Sequence, residues 1–231
     1  YSIAAPHAKG KSAEDNIFAA NNRAIALAKE IGVENVTNAQ RSILDEDGSL
    51  VVLDVVKQEL KNLTPPEFCA YAPIKGYDEF LKDCIDQCFG KSRPEGYIDA
   101  CATPGGTGVL HHVVHNYSEP GDEVLITDWH WGAYDSLIDD NNRKVRTFSF
   151  LTSDGHFNAA SFKENVEDIL KKQDNIVIIL NGIANNPTGM HVRAEWQSAV
   201  DVLKEATKDE TKNAILIADV AYLDYSGEKE E

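Results

Sequence analysis

A chain of 231 residues, 42% of them hydrophobic, is long enough for one large α/β domain with a sizeable core, which excludes a mini-protein. Its 22 Lys and Arg face 38 Asp and Glu, a formal net charge of −16, which speaks against nucleic acid or an anionic membrane as a partner. No apolar run could span a bilayer, the start Tyr1-Ser2-Ile3-Ala4-Ala5-Pro6-His7 lacks a signal-peptide pattern, and the four cysteines do not pair by spacing, so a soluble, cytoplasmic protein is expected.

In chain order, Ser12-Ala13-Glu14-Asp15 reads as a capping box opening a first helix, an arm that runs to Gly32. Asp45-Glu46-Asp47-Gly48 is a turn, Leu53 to Leu60 a short helix, and Thr64-Pro65-Pro66 a rigid break. Phe80, Leu81, Cys84, Ile85, Cys88 and Phe89 mark an amphipathic helix ending at Gly90, with both cysteines read as core. Strands are then expected at Tyr97–Ala102, Glu123–Thr127, Lys144–Phe150, Ile176–Leu180 and Ala214–Ala218, and helices at Thr107–Asn116, Gly132–Asp139, Asn158–Lys172 and Arg193–Thr207. This alternation implies an α/β fold, a mostly parallel sheet with helices on both faces. Two parts are expected, an amino-terminal arm with a small-domain segment at 1–60 and a ligand-binding large domain at 61–231. The last strand and Tyr222 to Gly227 have no covering helix, so a chain stopping mid-domain is expected.

Four loops at the carboxyl ends of strands carry chemistry, and that is where open α/β sheets bind ligands. Thr103-Pro104-Gly105-Gly106-Thr107-Gly108 leads into a helix whose first N–H groups and Thr107 hydroxyl suit a phosphate, although a Gly-rich link is as often a plain turn. Trp129-His130-Trp131-Gly132-Ala133-Tyr134 sets aromatic rings at a second strand end, where one could stack on a planar ligand or simply pack. In Asn185-Asn186-Pro187-Thr188-Gly189, Pro and Gly serve a turn and leave Asn186 free; in Asp219-Val220-Ala221-Tyr222 a carboxylate follows an apolar strand and must find a cation, a metal or strong donors. An Asn, an Asp and a Tyr converging there can hold a heteroaromatic ring by its edge, and pyridoxal 5'-phosphate is such a ring. His111, His112 and His115 have helical spacing for a metal, but no acidic or Cys partner lies near in sequence, and they read as a helix face or an interface.

Together these motifs, in this order, resemble the large domain of fold-type I pyridoxal-phosphate enzymes, specifically class I aminotransferases of the aspartate and aromatic amino-acid group, from about Ser12 to the end. The resemblance implies a three-layer α/β/α domain in which Gly105, Gly106 and Thr107 bind the cofactor phosphate and Trp131 stacks on the ring. It further implies that Asn186 and Tyr222 hydrogen-bond the phenolic oxygen and that Asp219 pairs with the pyridinium nitrogen. Tyr71 matches the tyrosine that reaches the partner subunit's cofactor phosphate, implying a homodimer with a shared site. Amino acid and 2-oxo acid substrates follow from the same resemblance.

Departures accompany the match. In this family the Schiff-base lysine lies several tens of residues past the Asp-x-x-Tyr motif, beyond Glu231, and Lys229 is too close to replace it; no catalytic residue is assigned in this chain, which on this reading cradles the cofactor without turnover. Asn38-Ala39-Gln40-Arg41-Ser42-Ile43 replaces a glycine-bearing substrate loop, so no site role is given to it. Another fold-type I reaction, elimination or carbon–carbon cleavage, is the alternative within enzymes, and Trp131 and Asn-Pro-Thr-Gly favour transamination over it. A non-catalytic pyridoxal-phosphate-binding module is the alternative outside them, followed by a nucleotide-binding α/β domain.

Overall fold

The structure, a computed structural model, describes residues 3, 5–9, 16–36, 45, 49–193 and 195–227. Contacts divide the chain into a unit up to Tyr71 and a unit from Ala72 onward. The first unit is helical. α1 (Asn16–Ile31) stops where Gly32 adopts a φ of 94°, a backbone conformation open to glycine. α2 (Asp54–Asn62) leaves Val55, Val56 and Leu60 exposed. α3 (Pro65–Cys69) forms where a break was expected, because its two prolines fill the first helical positions, whose N–H groups have no intrahelical acceptor. Glu67 secures that start by accepting from the Thr64 backbone N–H and hydroxyl, both at 2.6 Å. The expected capping box at Ser12, most of the turn after Asp45 and the loop 38–43 lie outside the described residues.

In the second unit, α4 (Asp78–Phe89) turns Leu81, Ile85 and Phe89 inward and leaves Phe80, Cys84 and Cys88 exposed, correcting the reading of both cysteines as core. Each set repeats one turn apart, so the sequence periodicity shows the helix without showing which of two adjacent rows is buried. Tyr97–Ala102 is extended but joins no sheet. Its neighbour is the turn Pro73–Gly76, too short for a ladder, which supplies one bond, Ala102 N–H to Lys75 C=O at 2.7 Å.

The remaining elements alternate as α5 (Gly105–Tyr117), β1 (Glu123–Thr127), α6 (Ala133–Asp140), β2 (Lys144–Phe148), α7 (Ala159–Leu170), β3 (Asn175–Leu180), α8 (Trp196–Ala206) and β4 (Asn213–Ala218). All strand pairs are parallel, in the order β2-β1-β3-β4. β1 and β3 are inner strands covered on both faces, which explains their apolar runs without alternation. Successive residues part to opposite layers. Leu125, Ile176, Ile178 and Leu180 pack with Phe162, Val166 and Ile169 of α7 and Ala199 of α8. Val124, Ile126, Val177 and Ile179 pack with Leu110 and Val114 of α5 and with Tyr134 and Ile138 of α6. The expected three-layer α/β/α architecture is present. After β1 the chain moves to one side for β2, then crosses back beyond β1 for β3 and β4, so the winding reverses between β1 and β3.

At the opposite end of the sheet, α5 and α6 are fastened by two buried polar groups. Asn141 donates to His111 Nδ1 at 3.1 Å and its Oδ1 meets His115 Nδ1 at 3.3 Å, which occupies one nitrogen of each imidazole. Arg143, 8% exposed, donates to the carbonyls of His115, Ser118 and Asn141 and to the Ser118 hydroxyl, closing the carboxyl end of α5. Replacing Arg143 with Met strands these acceptors, and the unfolding free energy measured in urea should fall by about 2–3 kcal/mol.

Candidate functional site

Where the winding reverses, loops after β1, β3 and β4 diverge and leave a crevice at the strand carboxyl ends. A cavity of about 490 Å³ lies there, a ligand-sized volume, lined by Gly106, Thr107, Trp131, Tyr134, Asn181, Asn186, Asp219 and Tyr222 among others. Gly106 and Thr107, Trp131, Asn186, Asp219 and Tyr222 were singled out from separate stretches of sequence, and the fold brings them around this one space. Gly105 stands beside it in the first helical turn but does not line it. Tyr71 ends the first unit and exposes its whole side chain. The 38–43 loop lies outside the described residues.

The glycine segment is itself the first turn of α5, which begins two residues before the expected Thr107 start. Gly105 has a φ of 67°, and a Cβ at Gly105 or Gly106 would meet nothing within 4 Å, so the approach to the helix end is open. Gly105 N–H donates to Thr103 C=O at 2.7 Å, whereas the N–H groups of Gly106 and Thr107 have no intrahelical acceptor and carry the positive end of the helix dipole.

Adjacent strands present the polar groups side by side. Leu180 of β3 pairs with Ala218 of β4, so the next residues, Asn181 and Asp219, emerge as neighbours. Asp219 N–H donates to Leu180 C=O at 3.0 Å, and its C=O accepts from Asn181 Nδ2 at 2.8 Å. Its carboxylate accepts from Ala221 N–H on Oδ1 at 3.1 Å and from the Tyr134 hydroxyl on Oδ2 at 2.5 Å. Burial first, then this hydrogen bond to Asp219, push the Tyr134 phenol well above the ordinary tyrosine range, so it stays a donor.

Asn186 is set by its surroundings in the same way. Its N–H donates to Asn181 Oδ1 at 2.7 Å, and its Nδ2 reaches the Tyr222 hydroxyl at 3.4 Å. Asn185, 1% exposed, shapes the turn that carries it: Oδ1 accepts from the Thr188 hydroxyl at 2.8 Å, and the backbone C=O from Gly189 N–H at 2.6 Å. The Asn186–Pro187 peptide is cis and Gly189 has a φ of 70°. A Cβ at Gly182, below this loop, would lie 2.4 Å from the Trp196 ring, so only glycine lets α8 approach. Trp131 stands edge-on to Tyr134 with ring centroids 5.8 Å apart, whereas Trp129 is 57% exposed and outside the lining.

Asn181 was missed in the sequence, and Tyr134 and Asn185, though inside the quoted motifs, were given no role there. Asn181 carries the signal used for Asp219, a polar residue closing an apolar strand, and that rule finds it. Tyr134 gives only the weaker hint that a buried phenol needs a partner. Among the described residues no group of His, Cys, Asp and Glu is arranged for a metal, and no helix is long and apolar enough to cross a membrane. Asn181→Leu should lower the unfolding free energy by about 2 kcal/mol in denaturant titration, since it orphans the Asn186 N–H and Asp219 C=O together.

The fold and the crevice define a doubly wound parallel α/β domain with a small-ligand cavity at its winding reversal. The chain belongs to the class I and II aminotransferase family, whose profile matches residues 37–230. It is 31% identical over 179 residues to chloroplastic aspartate aminotransferase of Arabidopsis thaliana, covering 74% of this chain and 38% of that protein. With mitochondrial aspartate aminotransferase of Dictyostelium discoideum it shares 26% over 206 residues, 84% of this chain and 46% of the other. The crystal structure of an aminotransferase from Anaerococcus prevotii superposes with a TM-score of 0.94 at 35% identity, covering 99% of this chain and 56% of that one. The chain thus spans about half the length of these relatives.

Proposed function

We propose that this chain forms the cofactor cradle of a pyridoxal-phosphate-dependent aminotransferase that moves an amino group between an amino acid, of the aspartate or aromatic class, and a 2-oxo acid. One observation carries the reading: the Asp219 carboxylate shares a cavity with the Asn186–Tyr222 pair and the open amino end of α5. A cation-pairing acceptor, groups for a ring oxygen and a phosphate site are the donor set that pyridoxal phosphate needs, and the family is one that uses it. When bound, the cofactor supplies an electron sink for charge developing at a substrate's α-carbon.

The chain's own groups then have distinct tasks. Gly106 and Thr107 offer N–H groups and a hydroxyl to the phosphate, a local positive end in a chain of net charge −16, and Gly105, whose N–H donates to Thr103 C=O at 2.7 Å, shapes the turn beside them. Trp131 covers a ring face and excludes water. Asn186 and Tyr222 hold the ring oxygen, and Asp219 keeps a proton on the ring nitrogen. Among the described residues no lysine lines the cavity. Support for the aspartate or aromatic class comes from the Arabidopsis relative and from an aromatic-amino-acid aminotransferase of Paracoccus denitrificans, 24% identical over 164 residues. The reading also makes the molecule a homodimer in which the exposed Tyr71 serves the partner's site.

Pyridoxamine 5'-phosphate, which forms no imine with stray lysines, is the direct probe. Fluorescence titration should show saturable binding, weakened about tenfold by Asp219→Asn and by Asn186→Ala. Absence of saturation, or variants that bind as well as the parent, would refute the cradle. For the shared site, Tyr71→Phe and Asp219→Asn chains mixed and re-equilibrated should bind more ligand than the average of the two alone, because a mixed dimer regains one complete site; a simple average counts against it.

A further inference from the structure

Two donors hold the Asp219 carboxylate, Ala221 N–H on one oxygen and the Tyr134 hydroxyl on the other. A carboxylate turns readily about its last bond, and a donor on each oxygen fixes its plane while leaving further lone pairs free. Of the two, the phenol is the one built into the core. Tyr134 is 1% exposed and belongs to the apolar cluster that joins α5 and α6 to the sheet. Its ring lies parallel to His130, 12° between planes at 6.2 Å, and edge-on to Trp131. His130 is itself held between the Thr127 carbonyl at 2.7 Å and Asp135 at 3.1 Å. The hydroxyl therefore has a place set by packing on α6, and Asp219 is brought to it from the end of β4.

We propose that Tyr134 is a positioning residue that presents the Asp219 carboxylate to the ring nitrogen of the cofactor, an inference that rests on the cradle reading above. A phenol that merely fills space would affect every ligand of this cavity alike. A phenol that aims Asp219 affects only ligands with a protonated ring nitrogen, because that is the group the carboxylate meets.

Pyridoxamine 5'-phosphate and its 1-deaza analogue, with carbon in place of the ring nitrogen, separate the two. The parent chain should prefer the first, and Tyr134→Phe, which keeps the ring and its packing, should lose about tenfold in affinity for it and nothing for the analogue. In an Asp219→Asn background the same substitution should make no further difference. Ligand-free chain should show by proton NMR a slowly exchanging Tyr134 hydroxyl resonance that disappears in Asp219→Ala. Equal loss for both ligands in Tyr134→Phe, or an unchanged preference, overturns the phenol's role while leaving the cradle standing. A parent chain that shows no preference overturns the cradle reading and this inference with it.

Discussion

A carboxylate at the end of a half-buried parallel strand has to be met by donors, and the placement of Asp219 organises everything near the crevice. Its donors come from three directions, Ala221 of its own loop and Tyr134 of α6 for the carboxylate and the Asn181 amide for the backbone C=O, while its N–H donates in the ladder to Leu180 C=O. Asn181 spends its other end on Asn186 N–H, so the acid and the asparagine across from it are positioned by a single buried side chain. Such a network is costly when incomplete and rigid when complete. Among the described residues no buried side-chain nitrogen or oxygen lacks a partner.

The winding reversal explains why these groups face an open space. Loops after β1 and β3 leave the sheet in opposite senses, and the amino end of α5 points into the gap between them. In a chain of net charge −16 a phosphate finds little attraction at long range. Backbone N–H groups at a helix end act within a few ångströms, where the distant acidic surface is screened.

Much of this could be read from sequence because the relevant signals are short and local. β1, β3 and β4 declared themselves as apolar runs, and Asp219 and Asn186 stood out as polar residues at their ends. Failures came where a neighbour decides. Tyr97–Ala102 has strand-like composition yet no ladder to join, and Pro65-Pro66 looked like a break because proline is allowed at the first helical positions as well as between helices. On α4 two apolar rows, Leu81-Ile85-Phe89 and Phe80-Cys84-Cys88, compete for the core, and only packing selects the first. Tyr134 was hidden for a similar reason: its partner lies 85 positions away, and no local pattern announces a hydrogen bond across that span.

The position of that phenol in turn depends on groups far from the cavity. α6 is clamped at its start by His130, between Thr127 and Asp135, and just past its end by Asn141 and Arg143, which grip the last turn of α5. The helix is eight residues long, so both clamps lie within about two turns of each other and leave it little freedom to slide along the sheet. Tyr134 sits in its first turn with Ile138 one turn below, both buried against Val124 and Ile126. The height at which the hydroxyl meets Asp219 is therefore set jointly by the polar clamps and by the apolar contact between them. A polar cluster such as Arg143 with Ser118, remote from the ligand cavity and without chemistry of its own, thereby contributes to the geometry of the acid at the far end of the sheet.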